Sequence, residues 1–136
     1  MALTFNDFQQ ANLDRCEEGF RHSVNNWSLL EWAGAAAGEM GEAANICKKL
    51  RRQEQKIGGE WAARDLERAK LLSALADEIG DVLAYLSLLA SAAGIDMGEA
   101  AARKFDFVSG RIEWSGVRLV PLAEPVSRAR ADGACC

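Results

Sequence analysis

"LLSALADEIGDVLAYL", residues 71–86, decides the fold class. Leu72, Leu75, Ile79, Val82, Leu83 and Leu86 recur every three or four residues, the spacing that lines up side chains along one stripe of an α-helix. The period-two alternation of a half-buried strand is missing. The same stretch carries Glu78 and Asp81, three residues apart. Together with Ala74 and Tyr85 they lie beside the apolar stripe, not opposite it. The stripe is expected to be buried, with an acid pair at its border.

Some forty residues earlier, "GEMGEAAN" (38–45) repeats the pattern with Glu39 and Glu42. On a helix, Trp32, Ala35, Glu39, Glu42, Ile46 and Lys49 share one face, and Leu29, Ala36, Met40, Ala43 and Cys47 the next. If the two stripes pack together, the four carboxylates converge. Small residues around them (Ala35, Ala36, Gly38, Gly41, Ala43, Gly80 and Ala84) permit close helix approach, and no Lys or Arg stands four residues from any of the acids. Converging carboxylates raise one another's pKa. A hard cation relieves that cost, and Mg²⁺ takes oxygen ligands together with waters and phosphates. Glu and Asp three apart are separated by about 4.5 Å along a helix axis, close enough to share an ion. A di-iron bundle needs Glu-x-x-His, and the one histidine, His22, is in neither pair.

The rest of the chain supports an all-α reading. The only prolines are Pro121 and Pro125, and turn signals for β-hairpins are missing. Helix one is expected over 5–22, capped by Thr4 or Asn6. "NNWS" (25–28) breaks the chain, and Ser28 or Asn26 caps a second helix over 28–51. "KIGGEW" (56–61) is a loop, and a third helix follows over 62–93, with room for a break near 70. "AGIDM" (93–97) is a turn with Gly94 as C-cap and Asp96 as the next N-cap, and a fourth helix covers 97–113. Val117, Leu119, Val120 and Leu122 suggest a short extended arm, and the last ten residues are expected to be disordered.

A chain of 136 residues predicts one domain, placed at 1–114 with a partly disordered tail over 115–136. The net charge of −4 argues against a general nucleic-acid binder, but not against one nucleotide held through a metal. "MALTFNDFQQ" lacks the pattern of a signal peptide. No apolar run reaches the roughly 18 residues of a membrane span, so a cytoplasmic protein is expected. Cys16, Cys47, Cys135 and Cys136 have neither zinc-type nor redox spacing and read as free thiols. Trp32 falls on the acid face and is suited equally to stacking on a base or to the core; the same holds for Trp27. Trp61 reads as a loop anchor, Lys49 as a phosphate contact or a solvated lysine, Asp77 as a residue rotated away from the acids, and His22 as a surface or capped residue. "KKLRRQ" (48–53) suits a helix C-terminus.

Taken in order, "GEMGEA" and "DEIGDVLAYL" resemble the paired ExxE and ExxD signatures of the MazG-like all-α nucleoside triphosphate pyrophosphohydrolases. The resemblance covers about residues 25–114. It implies a four-helix bundle core completed by dimerisation, as a homodimer or homotetramer. It also implies Glu39, Glu42, Glu78 and Asp81 as catalytic residues and ligands of Mg²⁺, with Mn²⁺ as a substitute. The segment "RKFDFVSGRIEW" (103–114) resembles the family's closing helix, which makes Lys104 and Arg111 phosphate contacts. Tyr85 matches a position lining the base pocket. The implied reaction is hydrolysis of (deoxy)nucleoside triphosphates to the monophosphate and pyrophosphate, as in nucleotide-pool cleaning. The connection over 51–70 is longer than in compact members, and the tail after Trp114 has no counterpart. A competing reading of another class is a non-catalytic helical bundle that holds a nucleotide or a partner helix.

Overall fold

The computed structural model describes residues 3–55 and 61–119, the side chains of 61 and 62 excepted. The chain is all-α: α1 spans Phe5–Asp14, α2 Leu29–Glu54, α3 Trp61–Ala92 and α4 Met97–Arg111, with no strand among the described residues. Both expected caps at helix starts are present. Thr4 and Asp7 form a capping box on α1, and Ser28 and Glu31 form one on α2. Each joins two otherwise orphaned backbone donors to side-chain oxygens. Gly94, at φ 66°, ends α3 in a left-handed turn, where Ile95 N–H donates to Ala90 C=O at 2.8 Å and Gly94 N–H to Ser91 C=O at 3.1 Å. That pair of bonds is the Schellman closure, and glycine takes its backbone angle without a Cβ penalty.

α3 keeps close to its expected bounds and runs through residue 70 without a break. One expectation about the helices fails. α1 stops at Asp14 instead of 22, and the chain continues as a π-turn over Arg15–Gly19 and a 3₁₀ turn over Val24–Asn26. Tertiary burial explains the early stop. His22 N–H donates to Cys16 C=O at 3.0 Å and the Cys16 thiol donates to His22 C=O at 3.2 Å. These contacts fold the chain back so that Cys16 and Val24 both enter the core. A continuous helix would carry them apart. "KIGGEW" is described only from Trp61, which opens α3; residues 56–60 lie outside the described residues.

The chain divides into two units, Met1–Gly98 and Glu99–Cys136. In the first, α2 and α1 both pack on α3. Ala36, Ala43 and Ile46 of α2 and Val82 of α3 are buried, while Cys16, Val24, Trp32 and Leu88 form a cluster backed by Leu13, Tyr85, Leu89 and Ala92. α1 is tied to the end of α3 by polar bonds. Asn6 Nδ2 donates to Asp96 Oδ2 at 2.7 Å, Gln9 Nε2 to Ile95 C=O at 2.8 Å, and Met97 N–H to Gln9 Oε1 at 3.0 Å. In the second unit, Phe105 meets Trp114 edge-on at 5.6 Å, and the Leu119 N–H donates to the Asp106 carboxylate. Val117 and Leu119 belong to no strand; Val120, Leu122 and the last ten residues lie outside the described residues. No single helix among the described residues is long and apolar enough to cross a membrane.

The apolar stripe of α3 is not buried as expected. Val82 is buried, but Leu72, Ile79, Leu83 and Leu86 are exposed, Ile79 to 51%. α1 and α2 occupy other sides of α3, so the stripe has no cover within this unit. On α2 the same holds for Leu29 and Met40, which are exposed while Ala36 and Ala43 are buried. The caps are directly testable: Ser28→Ala removes the hydroxyl that accepts from Glu31 N–H and donates to the Glu31 carboxylate and is expected to cost about 1 kcal/mol of stability, read as a lower urea midpoint at unchanged slope.

Candidate functional site

The packing of α2 on α3 gathers acids from both helices. One carboxylate oxygen from each of Glu39, Glu78 and Asp81 lies within 4.8 Å of the others, with Glu39 and Glu78 half-buried and Asp81 exposed. Glu42 stands outside this triad, exposed on α2, yet near enough to act on Glu78. Burial, and then the charges of Glu42, Glu39, Asp81 and Asp77, push the Glu78 carboxyl above its ordinary range. Among the described residues no Lys or Arg pairs with the triad. The donor set is three hard oxygens whose mutual repulsion is uncompensated, which fits a hard divalent cation and fits no soft metal.

Asp81 also borders a cleft of about 500 Å³ between α1, the turns after it, α2 and α3, within the range of small-molecule sites. Its lining is aromatic: Phe20, His22, Trp27, Trp32 and Tyr85. Trp27 and Trp32 lie 4.5 Å apart between ring centroids, and Trp32 and Tyr85 6.3 Å. Trp32 is both core and wall. It is 3% exposed, and its indole N–H donates to Val24 C=O at 2.9 Å, which fixes the ring plane.

The other wall is polar. Asn12, buried in α1, donates through Nδ2 to Ala84 C=O at 2.8 Å and to Ser87 Oγ at 2.7 Å. Ser87 in turn donates to Ala84 C=O at 2.8 Å. The Asn12 amide oxygen accepts from Arg15 Nη2. His22 is half-buried, its Nε2 enclosed and without a hydrogen-bond partner, and its ring meets Trp27 and Trp32 edge-on. That overturns its reading as a surface or capped residue: the fold-back after Cys16 carries it into the aromatic cluster.

Of the residues singled out from sequence, Glu39, Glu78, Asp81, Trp32 and Tyr85 come together in the first unit. Lys49 is exposed on α2 and does not line the cleft. Lys104 and Arg111 are exposed on α4 in the second unit, where Lys104 Nζ sits 5.3 Å from the Phe107 ring centroid. Sequence reasoning missed Asn12, Arg15 and Phe20. The available signal was Asn12 at four-residue spacing from Phe8 and Cys16 on the inner face of α1. Cys16 and Cys47 are free thiols, buried and exposed respectively. The chain matches no protein-family model, no curated protein and no solved structure.

The raised Glu78 pKa has a definite sign. The unfolded chain ionises this group first, so the folded state loses stability as pH rises through the ordinary carboxylate range and regains it on acidification. Glu78→Gln should therefore raise the Tm of the metal-free protein at neutral pH, with the advantage vanishing at acid pH. In the same thermal scans, millimolar Mg²⁺ or Mn²⁺ should raise the Tm of the wild type and leave that of Glu78→Gln unmoved; an unchanged wild-type Tm would speak against a cation site.

Proposed function

We propose that the protein is a Mg²⁺-dependent nucleotide pyrophosphohydrolase of the MazG-like type, cleaving (deoxy)nucleoside triphosphates to the monophosphate and pyrophosphate, in the service of nucleotide-pool cleaning. The single observation that carries the reading is the sharing of Asp81 between the carboxylate triad and the aromatic cleft. A triphosphate is a chain of anionic oxygens attached to a flat ring system, and it needs a cation site and a stacking site side by side. Glu39, Glu78 and Asp81 would hold the cation. Bound there, Mg²⁺ or Mn²⁺ would neutralise phosphate charge and acidify a bound water.

The residues of the chain supply the rest. Trp27 and Tyr85 offer ring faces to the base, with Trp32 buried behind them. Removal of the base from water also fixes the distance from the stacked ring to the acids, so the phosphates are oriented before any bond breaks. Glu42, outside the triad but beside it, is the carboxylate left free to take a proton from the attacking water.

The bare stripe on α3 supports a second copy of the chain as partner. Leu72, Leu75, Ile79, Leu83 and Leu86 are spaced symmetrically about Ile79, at four and seven residues on either side. An antiparallel pairing of α3 with its own copy would set Leu72 against Leu86 and Leu75 against Leu83, with Ile79 on the two-fold axis. This is the self-complementarity an isologous interface requires. It would complete a four-helix core from two α2–α3 pairs, as a homodimer or as half of a homotetramer.

Pyrophosphate release from a panel of NTPs and dNTPs, with and without Mg²⁺, is the deciding assay. Release is expected only with the metal, and Glu39→Gln or Asp81→Asn should cut it at least a hundredfold while leaving the helical signal intact. Release from none of the panel would sink the hydrolase reading, and nucleotide binding without turnover would favour the non-catalytic bundle. Ile79→Glu is expected to halve the mass seen by light scattering; an unchanged mass would remove α3 from the interface.

A further inference from the structure

We propose that Arg15 is a phosphate-binding residue: its guanidinium holds non-bridging oxygens of the same phosphate chain that a cation on the acids neutralises. The inference rests on the reading of the cleft as a nucleotide site, and it adds a phosphate contact on the α1 side that the resemblance does not supply.

The bonds of α1 place this side chain. α1 runs antiparallel to α3: Asn6 donates to Asp96, Gln9 to Ser91 Oγ at 3.2 Å, and Asn12 to Ala84 C=O and Ser87 Oγ. Each turn along α1 therefore moves back along α3 towards its acids. Arg15 follows Asn12 by one turn, about 4.5 Å along the axis, just as Asp81 precedes Ala84 by one turn. Arg15 and Asp81 line the same cleft.

The two charges in that cleft do not meet. A guanidinium and a carboxylate placed close together ordinarily satisfy each other through charge-assisted bonds. Among the described residues, no carboxylate lies within ion-pair distance of Arg15. Its Nη2 donates instead to the Asn12 amide oxygen, and its guanidinium carbon sits 5.8 Å from the Phe20 ring centroid. Asn12 is buried with both amide hydrogens committed to Ala84 C=O and Ser87 Oγ, so it is a fixed anchor. Arg15 is thereby held out of ion-pair reach of Asp81, with one of its five N–H donors spent on Asn12 and the others left for a ligand.

A ligand that completes this arrangement brings negative charge to Arg15 and a cation to the acids. A metal-bound phosphate does both: carboxylate, divalent cation, phosphate oxygen and guanidinium alternate in sign, so every neighbouring pair attracts. The planar fork of arginine also matches paired phosphate oxygens. Of the lysines and arginines among the described residues, Arg15 alone lines the cleft. Lys49 does not line it, and Lys104 and Arg111 belong to the second unit.

The test reads binding instead of turnover. The full chain in Mg²⁺ is titrated with the four α,β-imido deoxynucleoside triphosphates, whose bridging nitrogen resists cleavage, and with the four deoxynucleosides at millimolar concentration. Calorimetry and tryptophan fluorescence follow both. The wild type should bind at least one analogue, and Arg15→Gln should weaken the tightest roughly tenfold to a hundredfold, the size of a lost hydrogen bond to a charged group. Arg15→Lys, which keeps the charge but not the fork, should fall between the two. Affinity for the matching deoxynucleoside should stay within about twofold in both variants, and circular dichroism checks that they keep the helical content of the wild type. A merely structural role would weaken nucleoside and analogue together. That result, an unmoved analogue affinity in Arg15→Gln, or no binding of any analogue by the wild type would each overturn the proposal. Analogue binding that depends on Arg15, without pyrophosphate release from any triphosphate, would uphold the proposal and sink the hydrolase reading alone. Release by the wild type with analogue binding unmoved in Arg15→Gln would do the reverse.

Discussion

Like charges held close together without a counter-charge are the constraint around which the first unit is organised. Glu39, Glu78 and Asp81 are brought within 4.8 Å of one another because α2 and α3 meet through Ala36, Ala43, Ile46 and Val82. Larger side chains on α2 would keep the helices, and therefore the acids, apart. The apolar contact therefore works against the electrostatics. The cost falls on Glu78, which is both partly buried and ringed by four other carboxylates. A fold that tolerates such a site gives up part of a narrow margin of stability, which makes sense where the charges are completed by something that binds.

The second consequence concerns shape. With α1 and α2 both packed on α3, the hairpin of α2 and α3 carries the acid triad and a separate stripe of bare leucines and isoleucine. A chain of this length buries a smaller fraction of its surface than a larger one does, and a symmetric partner is an economical way to cover what is left.

Much of this was legible in the sequence because it is local. Ser28 three residues before Glu31, Thr4 three before Asp7, and Gly94 after the long apolar run each declare a helix end through side chains a few residues apart. The acid pairs were legible for the same reason, although the α3 stripe expected to bring them together is largely exposed and three of the four carboxylates converge. What stayed hidden is non-local. The polar wall joins Asn12 to Ala84 and Ser87, 72 and 75 residues away, and no helical period predicts such a bond. The early end of α1 follows from the burial of Cys16 and Val24 in one cluster with Leu88. Once α1 ends early, His22 moves from a presumed surface to the cleft. The exposed stripe was misread in the opposite sense, since periodicity marks a face as apolar without saying whether this chain or another covers it.

The polar pair Asn12–Ser87 sits where two apolar residues of similar size would hold α1 on α3 at least as well, because buried polar groups seldom add net stability over well-packed hydrophobes. Their value lies in direction. A leucine pair can slide; an amide with both hydrogens committed cannot rotate, and its oxygen then points one way. That oxygen accepts from Arg15, which lines the same cleft as Asp81. α1 contributes neither a metal ligand nor a large part of the core. Its bonds to Ile95, Asp96 and Met97, just past the end of α3, and to Ala84 and Ser87 within it hold it at two separate levels. A helix held twice cannot swing about either point, so the wall that Asn12 lends the cleft keeps its place.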